Sequence, residues 1–356
     1  MTMVAIQENK KFPIIVGDLL TSSSENDKKL ELPLFDKYYQ IESKGKLYPF
    51  KLTSKIYVIN NHMAVTIAGD YNKNKKFVED ISNVFKNIEP CKDELKRFEE
   101  NYLIDLDEEK EAYSIVWYDN NSQQVVFQYY GKCWISKEFE KLGKINAVGS
   151  GADGYFEKIN RFGENNLFSV DSINNAILNQ LLINTLLMGE ERFSLATLEN
   201  SWGAGFEVIC FDEEEKVFFK LDSIIYALWL GSYDNNRCLK DLKPISAVEY
   251  KYEKEFLTIC CPIKTIPEKK IIVPIDMKSD SIDLSKFESQ WSKSFHSKNI
   301  FNNFLIYSEL KNKYYYVGLF STDNDIILGF SSDNKFYFAL SKKVETYIEN
   351  KLEEIE

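Results

Sequence analysis

The sequence predicts an α+β fold in which two antiparallel sheets carry helices on their outer faces and a smaller α+β extension follows. Three observations predict it. Apolar, β-branched runs come in pairs around short polar turns, which is the pattern of β-hairpins. The helical segments come in blocks between those hairpins and do not alternate with single strands, which argues against a doubly wound parallel sheet. The 356 residues are 44% hydrophobic, enough to bury a large core, and the 21 Tyr and 25 Phe favour strands.

Met3-Val4-Ala5-Ile6 reads as a short strand, Gln7 to Lys11 as a polar turn, and Phe12 to Val16 as a second strand that ends at Gly17-Asp18. This first hairpin folds Asp18 back towards Thr2. Thr21 to Lys29 is a polar loop, and Leu30 to Phe50 is mixed in character. A second hairpin joins Lys55–Ile59 to Met63–Gly69 through Asn60-Asn61-His62. Asn72–Ile88 has helical spacing, with Phe77, Ile81, Val84 and Phe85 on one face, and a second helix covers Lys92–Tyr102. Strands follow at Tyr113–Tyr118 and Gln124–Tyr130. After the polar stretch Glu138–Lys144, a small strand at Ile145–Val148 runs into Gly149-Ser150-Gly151-Ala152-Asp153-Gly154. Tyr155–Phe162 is helical, and Asp171–Leu187 is the strongest helix, with Asp171 as its cap. Phe206–Phe211 and Lys216–Lys220 form another strand pair, while Asp222–Leu230 fits a helix or a strand. From Gly231 the texture changes to strands at Val248–Tyr252, Phe256–Cys261, Ile271–Ile275, Phe304–Leu310, Lys313–Phe320, Asp325–Phe330 and Lys335–Leu340. A loop or short helical piece is expected over Ser279–His296, and a charged helix over Ser341–Glu356. The expected division is therefore residues 1–230 and 231–356.

Composition removes several function classes. A net charge of −11 without any basic run opposes a phosphate backbone, so no nucleic-acid partner is expected. Six scattered cysteines without C-x-x-C spacing, and two histidines, make a poor zinc set and read as reduced thiols. No apolar run reaches the length of a membrane span, and no long apolar segment resembling a secretory signal opens the chain. Together these point to a cytoplasmic protein that does not enter a membrane.

Thr2, Asp18, Lys55, Gly69 and Ser150 form the candidate catalytic set. Alone, each is ordinary: Gly-Asp commonly ends a strand, an edge lysine is usually solvated, and Gly-Ser-Gly is a common loop. Their order and spacing give them weight. Thr2 before an apolar strand, Gly17-Asp18, the strand opened by Lys55, Ala68-Gly69, and Gly149-Ser150-Gly151 after a short strand together resemble a proteasome β-subunit or the bacterial HslV-type peptidase. Both are N-terminal-nucleophile hydrolases. The likeness covers about residues 2–230. It implies a four-layer αββα sandwich, threonine-type hydrolysis of peptide bonds, a polypeptide substrate, no metal or organic cofactor, a homo-oligomer built as stacked rings, and an ATP-driven unfoldase as partner.

The chemistry of the residues agrees with those implied roles. A threonine hydroxyl needs a base to take its proton. Once Met1 is removed, Thr2 carries its own base, because an α-amino group has a pKa of about 7.7–8.0. A nearby Lys55 ammonium would lower that value, and Asp18 would hold Lys55 in place. The Gly69 N–H would face the developing oxyanion, and Ser150 would bond the terminal amine. The chain departs from the family pattern after the long helix, where Asn200 falls at the position of an aspartate and Gly203 at that of a serine. The gap from Asp18 to Lys55 is also longer than in the family, and the region after 231 has no counterpart there. A rival pattern, Gly149-x-Gly151-x-x-Gly154 with Asp171 further on, matches the dinucleotide-binding fingerprint but lacks its βαβ setting. An inactive proteasome-like scaffold that binds a partner, and an amidohydrolase for a small amide, are the alternative functions.

Overall fold

The computed structural model describes residues 2–24, 30, 32–33, 47–104, 106–164, 167–194, 196–253, 256–261, 269–274, 300–321, 325–330 and 336–355. The chain is mixed α+β and mostly sheet, and it divides into two compact units, the first holding Met1–Leu221 and the second beginning at Asp222. Position 230, where composition changes, lies inside a strand of the second unit.

The first unit contains two large sheets. Strands β1 (Val4–Gln7) and β2 (Ile14–Asp18) form the opening hairpin, whose turn is tied by Asn9 Oδ1 accepting the N–H groups of Lys11 and Phe12. Strands β3 (Leu20–Ser23) and β4 (Tyr48–Leu52) pair with each other in a separate ribbon. Part of the stretch expected to be loop after Asp18 is therefore strand. Its threonine and serines are half-buried and carry no apolar alternation. Most of 30–46 lies outside the described residues. One sheet has four strands in the order β5 (Ile56–Asn60), β6 (Met63–Ala68), β7 (Ala112–Asp119) and β8 (Gln124–Tyr130), all antiparallel. The other has six, in the order β12 (Val217–Lys220), β11 (Phe206–Asp212), β2, β1, β10 (Gly143–Val148) and β9 (Ile135–Phe139). Strand β9 overlaps the segment read as merely polar. It pairs on one side only and has four exposed residues, so no hydrophobic period marks it. Because β10 lies antiparallel to both neighbours, the glycines after it do not sit in a βαβ unit.

The two sheets share a buried cluster: Val4, Ile6 and Ile15 from one meet Ile56, Ala64 and Val116 from the other. Helices α1 (Tyr71–Phe85) and α2 (Lys92–Tyr102) bury Phe77, Ile81, Phe85, Leu95 and Phe98 against a second cluster that includes Tyr57, Val65 and Ile115 of the four-stranded sheet. Asp70 caps α1 by accepting the N–H groups of Asn72 and Lys73, which its sequence position before the periodic run favours. Helices α3 (Ala152–Phe162) and α4 (Ile173–Ser194) pack on each other, and α4 packs on β2 and β11. Residues Asn179 to Gly189 of α4 are buried without interruption. Two of its inward polar groups are matched: Asn179 exchanges two hydrogen bonds with the Phe168 backbone, and Gln180 bonds Tyr155 and Asn184. At the start of α4 the acceptor for the Asn175 N–H is Ser172 Oγ, while Asp171 bonds the Asn175 side chain, so Ser172 replaces Asp171 as the cap. A short helix, α5 (Ala196–Glu199), follows α4.

The second unit is built on a six-stranded sheet ordered β16 (Lys269–Pro274), β15 (Phe256–Cys261), β14 (Leu239–Glu253), β13 (Ile224–Tyr233), β17 (Ile300–Ser308) and β18 (Lys313–Ser321). Strand β13 resolves the ambiguous Asp222–Leu230 stretch. Six of its residues in a row are buried, so the run shows no period by which to tell a strand from a helix. It pairs parallel with β17 and antiparallel with β14. Helix α6 (Lys342–Ile355) lays Val344, Ile348 and Leu352 on a cluster with Trp229, Phe304 and Ile306, and the hairpin of β19 (Ile326–Phe330) and β20 (Phe336–Leu340) adds Ile326 to it. The loop expected over 279–296 lies outside the described residues.

Gly17 sets the approach of the two sheets of the first unit beside Asp18. A Cβ at Gly17 would lie 2.8 Å from Ile56 Cγ2. Gly17→Ala is expected to cost about 1–3 kcal/mol by overpacking, read as a lower urea midpoint with unchanged slope.

Candidate functional site

The β1–β2 register pairs Val4 with Gly17 and brings Thr2 and Met3 alongside Asp18. Asp18 is fully buried, and four donors converge on it. Its Oδ1 accepts from Thr2 Oγ1 at 2.8 Å, from the Met3 N–H at 2.9 Å and from Lys55 Nζ at 2.8 Å. Its Oδ2 accepts from the Gly203 N–H at 2.8 Å. Lys55 lies just before β5, with its backbone carbonyl bonded to the Ile67 N–H, and its ammonium also donates to the carbonyls of Asp18 and Leu20. Thr2, Asp18 and Lys55, drawn from three places in the sequence, thus meet on one carboxylate oxygen.

Gly149, Ser150 and Gly151 form the turn from β10 into α3, against Thr2. The Gly151 N–H donates to the Thr2 carbonyl at 3.3 Å, and a Cβ at Gly149 would lie 2.0 Å from that oxygen, so the backbones touch only because residue 149 has no side chain. Ser150 is exposed, and among the described residues its hydroxyl makes no hydrogen bond to Thr2. Gly69 follows β6 with φ +121° and packs against the Lys110–Glu111 backbone. No hydrogen bond joins it to Thr2 among the described residues. The structure therefore assembles Thr2, Asp18 and Lys55 by direct bonds, sets the 149–151 turn against Thr2, and leaves Gly69 outside the bonded group.

Three further charged residues surround this group. Glu207 on β11 pairs with Lys220 on β12 at 2.6 Å, and Lys220 also donates to Ser54 Oγ, beside Lys55. Burial pushes the Lys55 ammonium below the ordinary lysine value, while Asp18 and, more weakly, Glu207 pull it back up. Glu191, on α4, is fully buried. Its Oε2 accepts from the Ala204 N–H and from Thr197 Oγ1, and its Oε1 has no hydrogen-bond partner among the described residues. Burial, with Asp18 adding repulsion, pushes its carboxyl up to about 7. Gly203 reaches the site through its backbone N–H.

These three charges are hard to find by sequence. Glu191 sits in Glu190-Glu191-Arg192, which looks like a solvated helix face, and Glu207 and Lys220 occupy a strand pair with no motif around them. The only signal was burial itself: both strands are apolar enough that a charge pointing inward needs a partner. Among the described residues, no group of three or more His, Cys, Asp or Glu side chains is arranged to hold a metal, and no helix is long and apolar enough to cross a membrane.

Removing one partner of a buried ion pair strands the other charge. Lys55→Met is expected to lose about 3–5 kcal/mol in urea unfolding. For Glu191 the unfolded carboxyl loses its proton near 4.5 and the folded one near 7. Between those values the folded chain binds more protons, so stability falls as pH rises from 4.5 to 7 and is level above it. Glu191→Gln is expected to abolish that slope, removing a loss of about 3 kcal/mol across the interval, measured as urea midpoints against pH. No protein family matches the chain, and no curated protein matches it in sequence.

Proposed function

We propose that the first unit is an N-terminal-nucleophile hydrolase and that Thr2, exposed as the first residue by removal of Met1, hydrolyses peptide bonds. One observation carries the proposal: Thr2 Oγ1 and Lys55 Nζ both sit 2.8 Å from Asp18 Oδ1 in a buried pocket of charge. The packing supports the fold this implies. The packing of α1 and α2 on the four-stranded sheet, the cluster shared by the two sheets, and the packing of α4 on β2 and β11 are what support an αββα sandwich.

The chain's own groups supply the chemistry. Thr2 Oγ attacks the carbonyl carbon of the scissile amide while its proton passes to the Thr2 α-amine. Lys55, held by Asp18, is a cation beside that amine and favours its neutral, proton-accepting form. The C–N bond breaks, the proton leaves with the departing amine, and an ester on Thr2 remains. The amine then takes a proton from water, whose oxygen attacks the ester; the C–Oγ bond breaks, the proton returns from the amine to Thr2 Oγ, and the acid is freed. Ser150, at the turn touching Thr2, and Gly69 are assigned the amine contact and the oxyanion contact. The Gly203 N–H donates to Asp18, the carboxylate that Thr2 and Lys55 share, and so adds to the support of that acceptor. A polypeptide substrate, a homo-oligomeric ring and an ATP-driven unfoldase belong to the same reading, as does a cytoplasmic location, with which the free thiols at Cys91, Cys133, Cys210 and Cys238 agree.

A second reading, an inactive scaffold of the same fold, is favoured by the near-complete burial of Thr2, which is 3% exposed. Intact mass and covalent labelling separate the two. The hydrolase predicts native protein lacking the mass of Met1 and a single adduct on Thr2 from a β-lactone or an epoxyketone. Thr2→Ala and Lys55→Ala are expected to abolish the adduct while circular dichroism stays unchanged. Retained Met1, or an adduct that survives in Thr2→Ala, would sink the enzyme.

A further inference from the structure

Glu191 is a carboxyl without an ion-pair partner among the described residues, and it is 0% exposed. Its neighbour Glu190 reaches Lys158 at 2.6 Å, near the surface. Glu191 turns inward, where burying an unpaired acid is costly and an apolar side chain of the same size would pack without that cost. What it touches accounts for its presence. It grips the turn that leaves α5: Oε2 accepts the Ala204 N–H at 2.8 Å and the Thr197 hydroxyl at 2.9 Å. That turn is strained, with positive φ at Ser201 (62°), Gly203 (105°), Ala204 (60°) and Gly205 (105°), two of them non-glycine residues. A Cβ at Gly203 would lie 2.1 Å from Glu191 Oε2, so carboxyl and turn are fitted to each other. From the turn, the Gly203 N–H reaches Asp18 Oδ2 at 2.8 Å, and the Gly203 carbonyl accepts the N–H groups of Leu19 and Leu20.

We propose that Glu191 is a positioning residue for the Thr2 site: by holding the Ser201–Gly205 turn in its strained form, it aims the Gly203 N–H at Asp18, the acceptor shared by Thr2 and Lys55. Its meaning for catalysis rests on Thr2 being the nucleophile; its hold on Gly203 does not. Burial raises the proton affinity of its carboxyl, and the two hydrogen bonds it accepts, from Ala204 and Thr197, pull it back down.

The test uses the full chain and two readouts, hydrogen exchange of the peptide spanning 202–206 and the rate of Thr2 acylation by a β-lactone. Glu191→Ala is expected to speed that exchange and slow acylation by about tenfold or more, the loss of two hydrogen bonds to a buried turn. Glu191→Gln keeps an acceptor oxygen and is expected to restore both to within about threefold of the parent. This rescue separates positioning from mere bulk, which Glu191→Leu supplies without the acceptor and which is expected to behave as Glu191→Ala. Should Glu191→Ala fail to fold, Thr197→Val, which removes one donor to the same carboxyl, is expected to give an intermediate rise in exchange. Unchanged exchange in the folded Ala or Leu variant, or a Gln variant as impaired as Ala, would overturn the proposal. If the parent chain takes no adduct, Thr2 is not the nucleophile, and the exchange arm alone decides whether Glu191 sets the Gly203 donor.

Discussion

One buried carboxylate organises the first unit. Asp18 accepts from the strand beside it through Thr2 and Met3, from the facing sheet through Lys55, and from the turn after the long helix through Gly203. Each oxygen is occupied, so its burial is compensated by bonds made in directions that only the completed fold supplies. The constraint also runs the other way. Gly17 must lack a side chain for the sheets to approach there, and Gly149 must lack one for its turn to touch Thr2. A small number of backbone contacts thus fixes where a threonine hydroxyl and a lysine ammonium meet.

Charge balance around this carboxylate is arranged as alternating neighbours. Asp18 faces Lys55, Lys55 feels Glu207, and Glu207 pairs with Lys220. In a medium of low dielectric such a series costs less than its members would separately, because each desolvated charge has an opposite one at hydrogen-bond distance. Glu191 stands apart from that series and is the member whose proton affinity is raised.

What could be read from the sequence followed from how strongly a residue's pattern constrains its setting. The opening hairpin was legible because two apolar runs around a polar turn admit few alternatives, and with it came the meeting of Thr2 and Asp18. Lys55 was legible only jointly with them. Strands β3 and β9 were not legible, since edge strands with polar faces lack the alternation that identifies a strand. Strand β13 failed for the opposite reason, being buried along most of its length. Glu191 was hidden because Glu190-Glu191-Arg192 reads as a solvated helix face, while the acid itself is fully buried. Gly203 acts through its peptide N–H, which every residue except proline possesses, and sequence reveals nothing of its role.

The bond from Gly203 to Asp18 spans 185 positions of the chain. Thr2, Asp18 and Lys55 leave the ribosome before Gly203 and Glu191, which follow ~150 residues later, on the order of 7–30 s at ordinary elongation rates. During that interval the emerging polypeptide holds Thr2 and Lys55 but not the turn whose Gly203 N–H donates to their common acceptor. Under the proposed function, the bonded site is therefore complete only after synthesis has passed the long helix and the turn beyond it.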